Sequence, residues 1–550
     1  MNKTIFYLAA VCCCFTACKQ KESASAAGPD STAIKMINDS SFAEHIRVLA
    51  SDEFLGRKPF TAGETKSINY LKEQFSKLGL KPGNGDSYFQ EVPMVEIKST
   101  PESKMVFKST SGTVTANYLT EFVAGTKRVQ PQVNIDHSPL VFAGYGIVAP
   151  EYQWNDYAGL DVKGKTVVVM INDPGFADST LFKGKKMTYY GRWTYKFEEA
   201  ARQGAAGILI IHDTEPAAYP WSVVRSGWSK SKLQSEEKDN NSSRAVVEGW
   251  ISMDIAKQLF KLGGQSDALF AAARKPGFKA VDLKQTTSLT ISNKIKKSVS
   301  YNVVAVIPGT KRPDENIIYS AHWDHLGVGE PVKGDSIYNG AVDNATGEAA
   351  LLSLAAAFQK LPQKPERSIV FVSFTAEEQG LLGSEYYAKH PVYPVNKTVA
   401  DINMDMMGLA GKTRDIVVYG YGQSELEDYA RVSAEKQGRV IVPDPVPSSG
   451  LYYRSDHFNF AKVGIPSLFT GSGVDNITHG KEWGLKQVAE FTKGRYHSPQ
   501  DDFNAITDRS GMVEDVRLLF DMGYRLSNET TFPEWKKGSE FKAARDKSLK

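Results

Sequence analysis

The chain has 550 residues, too many for one hydrophobic core, so two or three domains are expected. Its 66 basic residues nearly balance 63 acidic ones, which argues against a nucleic-acid binder working by general electrostatics. Glycine and proline are scattered rather than concentrated, so most of the chain should be globular.

All four cysteines fall in the first eighteen residues, at Cys12, Cys13, Cys14 and Cys18. One lysine, Lys3, precedes a short apolar run, and the small residues Thr16 and Ala17 precede Cys18. That order is the pattern of a secretory signal, too short for a comfortable membrane span. The four residues ending in Cys18 resemble a bacterial lipobox. The resemblance implies a signal over residues 1–18 and a lipid on Cys18. The exported chain would then be held on a membrane of the bacterial cell envelope, on its periplasmic or surface side. The mature chain would have no disulfide, although it would live in an oxidising compartment. Residues 19–32, rich in Ser, Ala, Lys and Glu, read as a flexible tether. No later run is long enough to span a bilayer.

Helical apolar spacing covers residues 33–50 and 65–78, with a turn at 51–57 and a glycine-rich stop after Leu78. Residues 92–123 read mainly as strand. From about residue 129 the character changes: strands are expected at 139–148, 165–171 and 207–212, with a helix at 196–203. His212 stands alone and reads as structural. Residues 226–244 are polar and charged, and read as a solvated loop. Two further strands are expected at 281–290 and 301–307. After these come strands at 415–419 and 440–442, a helix at 426–437 and a closing helix at 512–526.

The centre of the chain is residues 317–347. An apolar run at 317–319 ends in Ala321, His322, Trp323, Asp324 and His325, and a glycine-rich turn leads to Asp343 and a helix-like run. A buried strand, polar residues and a helix make a βα unit, and ligands gather at the carboxyl ends of such strands. The pattern recurs at 368–374, which empties into Glu377 and Glu378, and at 398–403, which empties into Asp405. A last polar cluster holds Tyr496, His497, Asp501 and Asp502. Together these supply enough nitrogen and oxygen donors for two zinc ions. Glu377 and Glu378 are adjacent, so their side chains diverge, and one can bind metal while the other moves a proton. Spacing alone leaves open which does which.

On these motifs the chain resembles the M28 family of zinc aminopeptidases. Residues 49–92, with Gly56 and Arg57, are similar to the family's amino-terminal segment; on spacing alone they read simply as two packed helices. Residues 157–165 and 198–207 look like an inserted protease-associated (PA) domain. The resemblance implies an α/β, mixed-sheet, three-layer zinc-exopeptidase fold (phosphorylase/hydrolase-like) interrupted by a β-rich PA domain. The implied boundaries are 33–127 and 293–535 for the peptidase domain, 128–292 for the insertion and 536–550 for a tail. Asp343 would bridge two zinc ions, with His322 and Asp405 on one, Glu378 and His497 on the other, and Glu377 as general base. Asp324 would accept from the far ring nitrogen of His322, and the Asp343–Asn344 peptide would be cis.

Arg454, Asp456, His457 and Tyr496 are candidates for the substrate pocket, although Asp456 and His457 fit a supporting or structural role better. His325 and Asp335 read as bystanders, and Asp401 and Asp502 are unassigned. The expected activity is removal of amino-terminal residues from peptides. A carboxypeptidase with the same zinc core would need a cation such as Arg454. A glutaminyl-cyclase-like site would lose part of the ligand set, and a non-catalytic receptor or scaffold would show ligand replacements. The sequence has no such loss or replacement.

Overall fold

The computed structural model describes residues 31–550. The signal expected over residues 1–18, the lipid expected on Cys18 and nearly all of the tether expected at 19–32 lie outside the described residues. Among those described, no helix is long and apolar enough to cross a membrane.

The half expected from the resemblance to be the peptidase domain, called the peptidase half below, is a mixed sheet between two helical layers, and the period-two alternation of its strands produces both faces. In Val281–Ile307, side chains of Val303, Ala305 and Ile307 enter one core while Val304 and Val306 enter the other. Arg367–Phe374 divides Ile369 and Phe371 from Val370, Val372 and Phe374 in the same way, and Arg312–His322 sends Ile317, Tyr319 and Ala321 opposite to Ile318. Strands apolar on both sides must be covered twice. Helices Asp39–Leu49, Ala62–Lys77, Thr346–Lys360 and Ser510–Asn528 cover the first face, and Leu382–Lys389 and His457–Lys462 the second. Arg312–His322 lies between Arg367–Phe374 and Thr398–Met404, parallel to both. Ser467–Gly471 follows in parallel, then Asp415–Tyr419 antiparallel and Val440–Pro443.

One element differs from the sequence reading in kind. The strands expected at 281–290 and 301–307 are a single strand, Val281–Ile307. Its middle, with Lys294, Lys296, Lys297 and Ser298, looks like a loop because neither face there is buried against a core. It is instead paired residue for residue with Phe89–Pro101, from Ile291 opposite Pro101 to Val303 opposite Phe89. This ribbon joins the peptidase half to the inserted half, and hydrogen bonds between strands rather than a flexible linker set their relation.

The inserted half has its own cores, and they begin earlier than residue 128. Met105, Phe107, Val114, Ala116, Phe122 and Ala124 pack with Ile135, Leu140, Val168, Leu209 and Leu259. A parallel layer of Leu140–Phe142, Thr166–Met170, Gly207–His212 and Val247–Ser252 forms its centre. His212 ends one of these strands, its Nε2 3.1 Å from the Tyr219 carbonyl, which fits the structural reading. The 226–244 segment is not all loop: Lys232–Ser235 adds to the edge of Met94–Ile97. Residues 536–550 are docked rather than a loose tail. Phe541 is buried beside Trp535, and buried Arg545 donates to the carbonyls of Val395 and Thr398.

Arg57 has a role that its helix-turn-helix context did not reveal. It is 1% exposed, and its guanidinium donates to the carbonyls of Trp323 (2.8 Å), Leu49 (2.8 Å), Asn339 (2.5 Å) and Gly340 (2.8 Å). It therefore ties the amino-terminal helices to the segments carrying Asp324 and Asp343. Arg57→Met would remove the side-chain donors from these four carbonyls, of which Gly340 keeps only the backbone N–H of Ala345. A loss of about 3–5 kcal/mol of stability is expected, read as a lower urea midpoint with unchanged slope.

Candidate metal centre

Five segments converge at the carboxyl end of the peptidase sheet. His322 is the last residue of Arg312–His322, Glu377 and Glu378 follow Arg367–Phe374, and Asp405 follows Thr398–Met404. Because these three strands are parallel neighbours, their ends deliver the side chains to one place. Asp343 precedes helix Thr346–Lys360, and His497 follows helix Gly480–Gly494. Ala376, Met406 and His497 adopt left-handed φ values of 53°, 55° and 54°, which non-glycine residues rarely take and which cluster at functional sites. Gly340, at φ +58°, has no room for a side chain, since a Cβ would stand 2.6 Å from the His325 ring. The Asp343–Asn344 peptide is cis.

The donor atoms form two groups that share Asp343. On one side, His322 Nε2 is 3.3 Å from Asp343 Oδ1 and 3.4 Å from Asp405 Oδ1. On the other, His497 Nε2 is 3.3 Å from Asp343 Oδ2 and 2.9 Å from Glu378 Oε2. Ligands at zinc distances of about 2.0–2.1 Å in a tetrahedron stand roughly 3.3 Å apart, so both groups have the span of a zinc shell. Buried His322 Nε2, Asp405 Oδ1 and His497 Nε2 have no hydrogen-bond partner, as expected of atoms facing a cation. The residues thus fit zinc. Among the described residues, only Asp343 places one oxygen toward each group.

Glu377 is close to the first group without matching its spacing: Oε2 is 3.9 Å from His322 Nε2. Burial holds its carboxyl well above the usual range, opposed by the charge of His322. Its backbone N–H donates to Asp324 Oδ1 at 3.0 Å. Asp324 therefore acts differently from the expectation. His322 Nδ1 is 3.2 Å from the Asp324 backbone carbonyl and 3.7 Å from its carboxylate, so the carbonyl sets the tautomer and leaves Nε2 free for metal. The carboxylate instead anchors the Glu377 turn.

His325 is no bystander. It is fully buried, and its Nδ1 is 2.6 Å from Glu378 Oε1, while His497 meets the other oxygen. His325, Asp343 and Glu378 also lie within metal-ligand reach of one another. Its position next to Asp324 in sequence hid this, because residues on either side of a bend can face one site. Asp501 was likewise missed. Its carboxylate accepts the backbone N–H groups of Val342 and Asp343 at 3.0–3.1 Å and so fixes the turn that presents Asp343. Asn344 Oδ1 accepts from Gly347 and its amide donates to the Met404 carbonyl, tying that turn to the Asp405 strand.

The proposed pocket residues divide. Arg454 and Tyr496 line a cavity of about 700 Å³ that opens onto Glu377, Glu378 and His497, and the Tyr496 ring stacks on His497 at 3.8 Å. Asp456 and His457 do not line it. Asp456 is fully buried near His322, and burial raises its carboxyl to about 7. His457 turns into an aromatic layer with Tyr452 (4.7 Å) and Phe469 (4.8 Å), where burial pushes it down to about 3. Among the unassigned residues, Asp401 is buried and accepts from Ser320, Asp502 caps a short turn at Ala505, and Asp335 lies in an exposed hairpin.

The inserted half forms the far wall of the cavity through Arg192, Trp193, Tyr219 and Trp228. Ion pairs ring the seam between the halves: Arg244–Glu385 at 2.9 Å, Lys462–Glu198 at 2.8 Å and Lys389–Glu237 at 2.9 Å.

The profile described as Peptidase family M28 matches residues 302–514. A probable leucine aminopeptidase 2 of Aspergillus oryzae is 22% identical over 479 residues, covering 85% of this chain and 79% of that protein. Aminopeptidase YwaD of Bacillus subtilis is 26% identical over 288 residues, covering 51% of this chain and 57% of its own. Among solved structures, an aminopeptidase from Aneurinibacillus sp. strain AM-1 superposes with a TM-score of 0.45 at 20% identity, covering 91% of this chain and 96% of that one. The residues matched by the Peptidase family M28 profile include both histidines, both glutamates and both aspartates of the converging cluster, so the similarity to that family covers the segment that builds the site.

Proposed function

We propose that the protein is a two-zinc aminopeptidase that removes residues from the free amino terminus of peptides. The observation that carries this reading is the Asp343 carboxylate, which offers one oxygen to each of two zinc-sized donor groups while Glu377 stands beside them. His322 and Asp405 would hold one ion and Glu378 and His497 the other. Zinc ions held there would polarise the scissile carbonyl and lower the pKa of the attacking water toward ~7.

The remaining chemistry belongs to the chain. Glu377 takes the proton of the attacking water on its carboxylate and passes it to the departing amine. Asp324 holds the Glu377 turn through the N–H at 3.0 Å, and His325 orients Glu378 from the oxygen that His497 does not use. The Tyr496 hydroxyl is kept protonated by its burial and the neighbouring carboxylates, so it remains a donor for a peptide carbonyl. Walls from both halves restrict the cleft to chain ends. We assign residues of the insertion to a PA domain that forms this wall, and Cys18 to a lipid that tethers the protein to the cell envelope.

Incubation of the soluble chain with free and N-acetylated peptides, followed by mass spectrometry, tests the reading. Stepwise loss from free amino termini, blocked by acetylation and by chelators, is the expected result. Carboxyl-terminal trimming that ignores acetylation would contradict it and would favour the carboxypeptidase alternative. Absence of any cleavage by zinc-loaded protein would favour the receptor reading.

A further inference from the structure

The carboxyl-terminal segment takes no part in the proposed chemistry, yet one of its side chains reaches the seam between the two halves. The segment is held to the peptidase half along its length. Trp535 Nε1 donates to the Gly464 carbonyl at 2.9 Å, Ser539 Oγ to Gln423 Oε1 at 3.0 Å, and Arg545 to the carbonyls of Val395 and Thr398. Between these anchors the Glu540 side chain is fully buried. Its Oε1 accepts from two groups at once, the Tyr453 hydroxyl at 2.6 Å and the Tyr189 backbone N–H at 3.3 Å. Its Oε2 is 3.7 Å from Lys183 Nζ. Tyr453 belongs to the peptidase half, and Tyr189 and Lys183 to the inserted half. A single carboxylate therefore bonds to both halves, and a third element carries it.

Both bonds act on the walls of the cavity. Tyr453 lines it beside Arg454, and the turn Tyr189–Gly191 leads directly into Arg192, Trp193 and Thr194, which line it from the other half. The Tyr189 ring lies edge-on to Phe458 at 5.2 Å, and its hydroxyl donates to Glu198, which pairs with Lys462 at 2.8 Å. Tyr189 thus plugs the inserted half into the peptidase half, and Glu540 holds it there by its backbone. Hydrogen bonds to a charged acceptor are among the strong ones, and low dielectric surroundings strengthen them further. Burial and the charge of Glu540 keep the Tyr453 phenol protonated, so it remains the donor.

We infer that Glu540 is a clamp that fixes the separation of the two cavity walls through Tyr453 and Tyr189, so that the carboxyl-terminal segment sets how long a peptide the cleft accepts. The inference rests on the aminopeptidase reading, in which the peptide beyond the scissile bond runs between these walls. Glu540 lies outside the converging cluster and acts as a positioning residue.

Three substrates separate this role from a merely structural one: leucine 4-nitroanilide, Leu-Gly-Gly and a decapeptide that begins with leucine, each given to the full soluble chain loaded with zinc. In Glu540→Ala, the ratio of kcat/KM for the decapeptide to that for Leu-Gly-Gly is expected to rise roughly tenfold, the factor carried by one buried hydrogen bond to a charged group. Zinc content and kcat on the nitroanilide should stay within about twofold of wild type, as positioning remote from the reacting bond implies. Glu540→Gln keeps the shared acceptor and should leave the ratio near that of wild type. Amide hydrogen exchange at Tyr189 reads the clamp directly, and should speed up in Glu540→Ala but not in Glu540→Gln. Tyr453→Phe removes one hydroxyl and should raise the ratio in the same direction by less, so it remains informative if Glu540→Ala fails to fold. An unchanged ratio despite faster exchange, unchanged exchange at Tyr189, or an equal fall in kcat/KM for all three substrates overturns the inference. Failure of the aminopeptidase reading shows separately, as no leucine released from any of the three by the wild-type chain.

Discussion

On the proposed chemistry, Glu377→Gln is expected to lower kcat by roughly 10²–10⁴-fold, the range for loss of a positioned general base, with metal content and fold retained. The exchange is nearly isosteric and leaves intact what holds the turn, because the contact to Asp324 is made by the Glu377 backbone N–H. None of the donor pairs at zinc spacing involves Glu377. Activity on free peptides, metal content and melting temperature measured on one preparation separate the outcomes. Loss of activity with full metal content and an unchanged transition is expected. Loss of one ion in the variant would instead make Glu377 a ligand, an arrangement its closeness to His322 and Asp405 makes worth excluding.

Asp343→Ala has the opposite signature, in which metal is lost first and activity with it. Removing the shared carboxylate leaves His322 and Asp405 on one side and Glu378 and His497 on the other. Two protein ligands per ion fall below the three usual for a catalytic zinc. Affinity for both ions should drop by more than ~100-fold, beyond the cost of removing an outer partner. Competition with a fluorescent chelator reads this directly. The same preparation should melt earlier than zinc-loaded wild type, since an ion that binds only the folded chain stabilises it by mass action. Loss of a single ion, with the second retained at wild-type affinity, would show that Asp343 serves one site.

The proposed ligand set is legible because each member follows a strand whose apolar run is continuous, or stands at the entrance or exit of a helix. His322, Glu378 and Asp405 end three runs that the sheet places side by side. The residues that escaped notice act through the backbone or across distance. Arg57 binds four carbonyls, and Asp501 binds the N–H groups of Val342 and Asp343; carbonyls and amides carry no side-chain signature. The ribbon in Val281–Ile307 was hidden because a strand solvated on both faces has the composition of a loop.

Zinc-loaded crystals, with anomalous maps calculated on either side of the zinc edge, test the centre most directly. Two peaks about 3.5–4 Å apart, one on each side of the Asp343 carboxylate, are predicted. The first should lie against His322 and Asp405, the second against Glu378 and His497. A single peak, or a second peak away from Asp343, would contradict the two-ion centre on which the proposed chemistry depends.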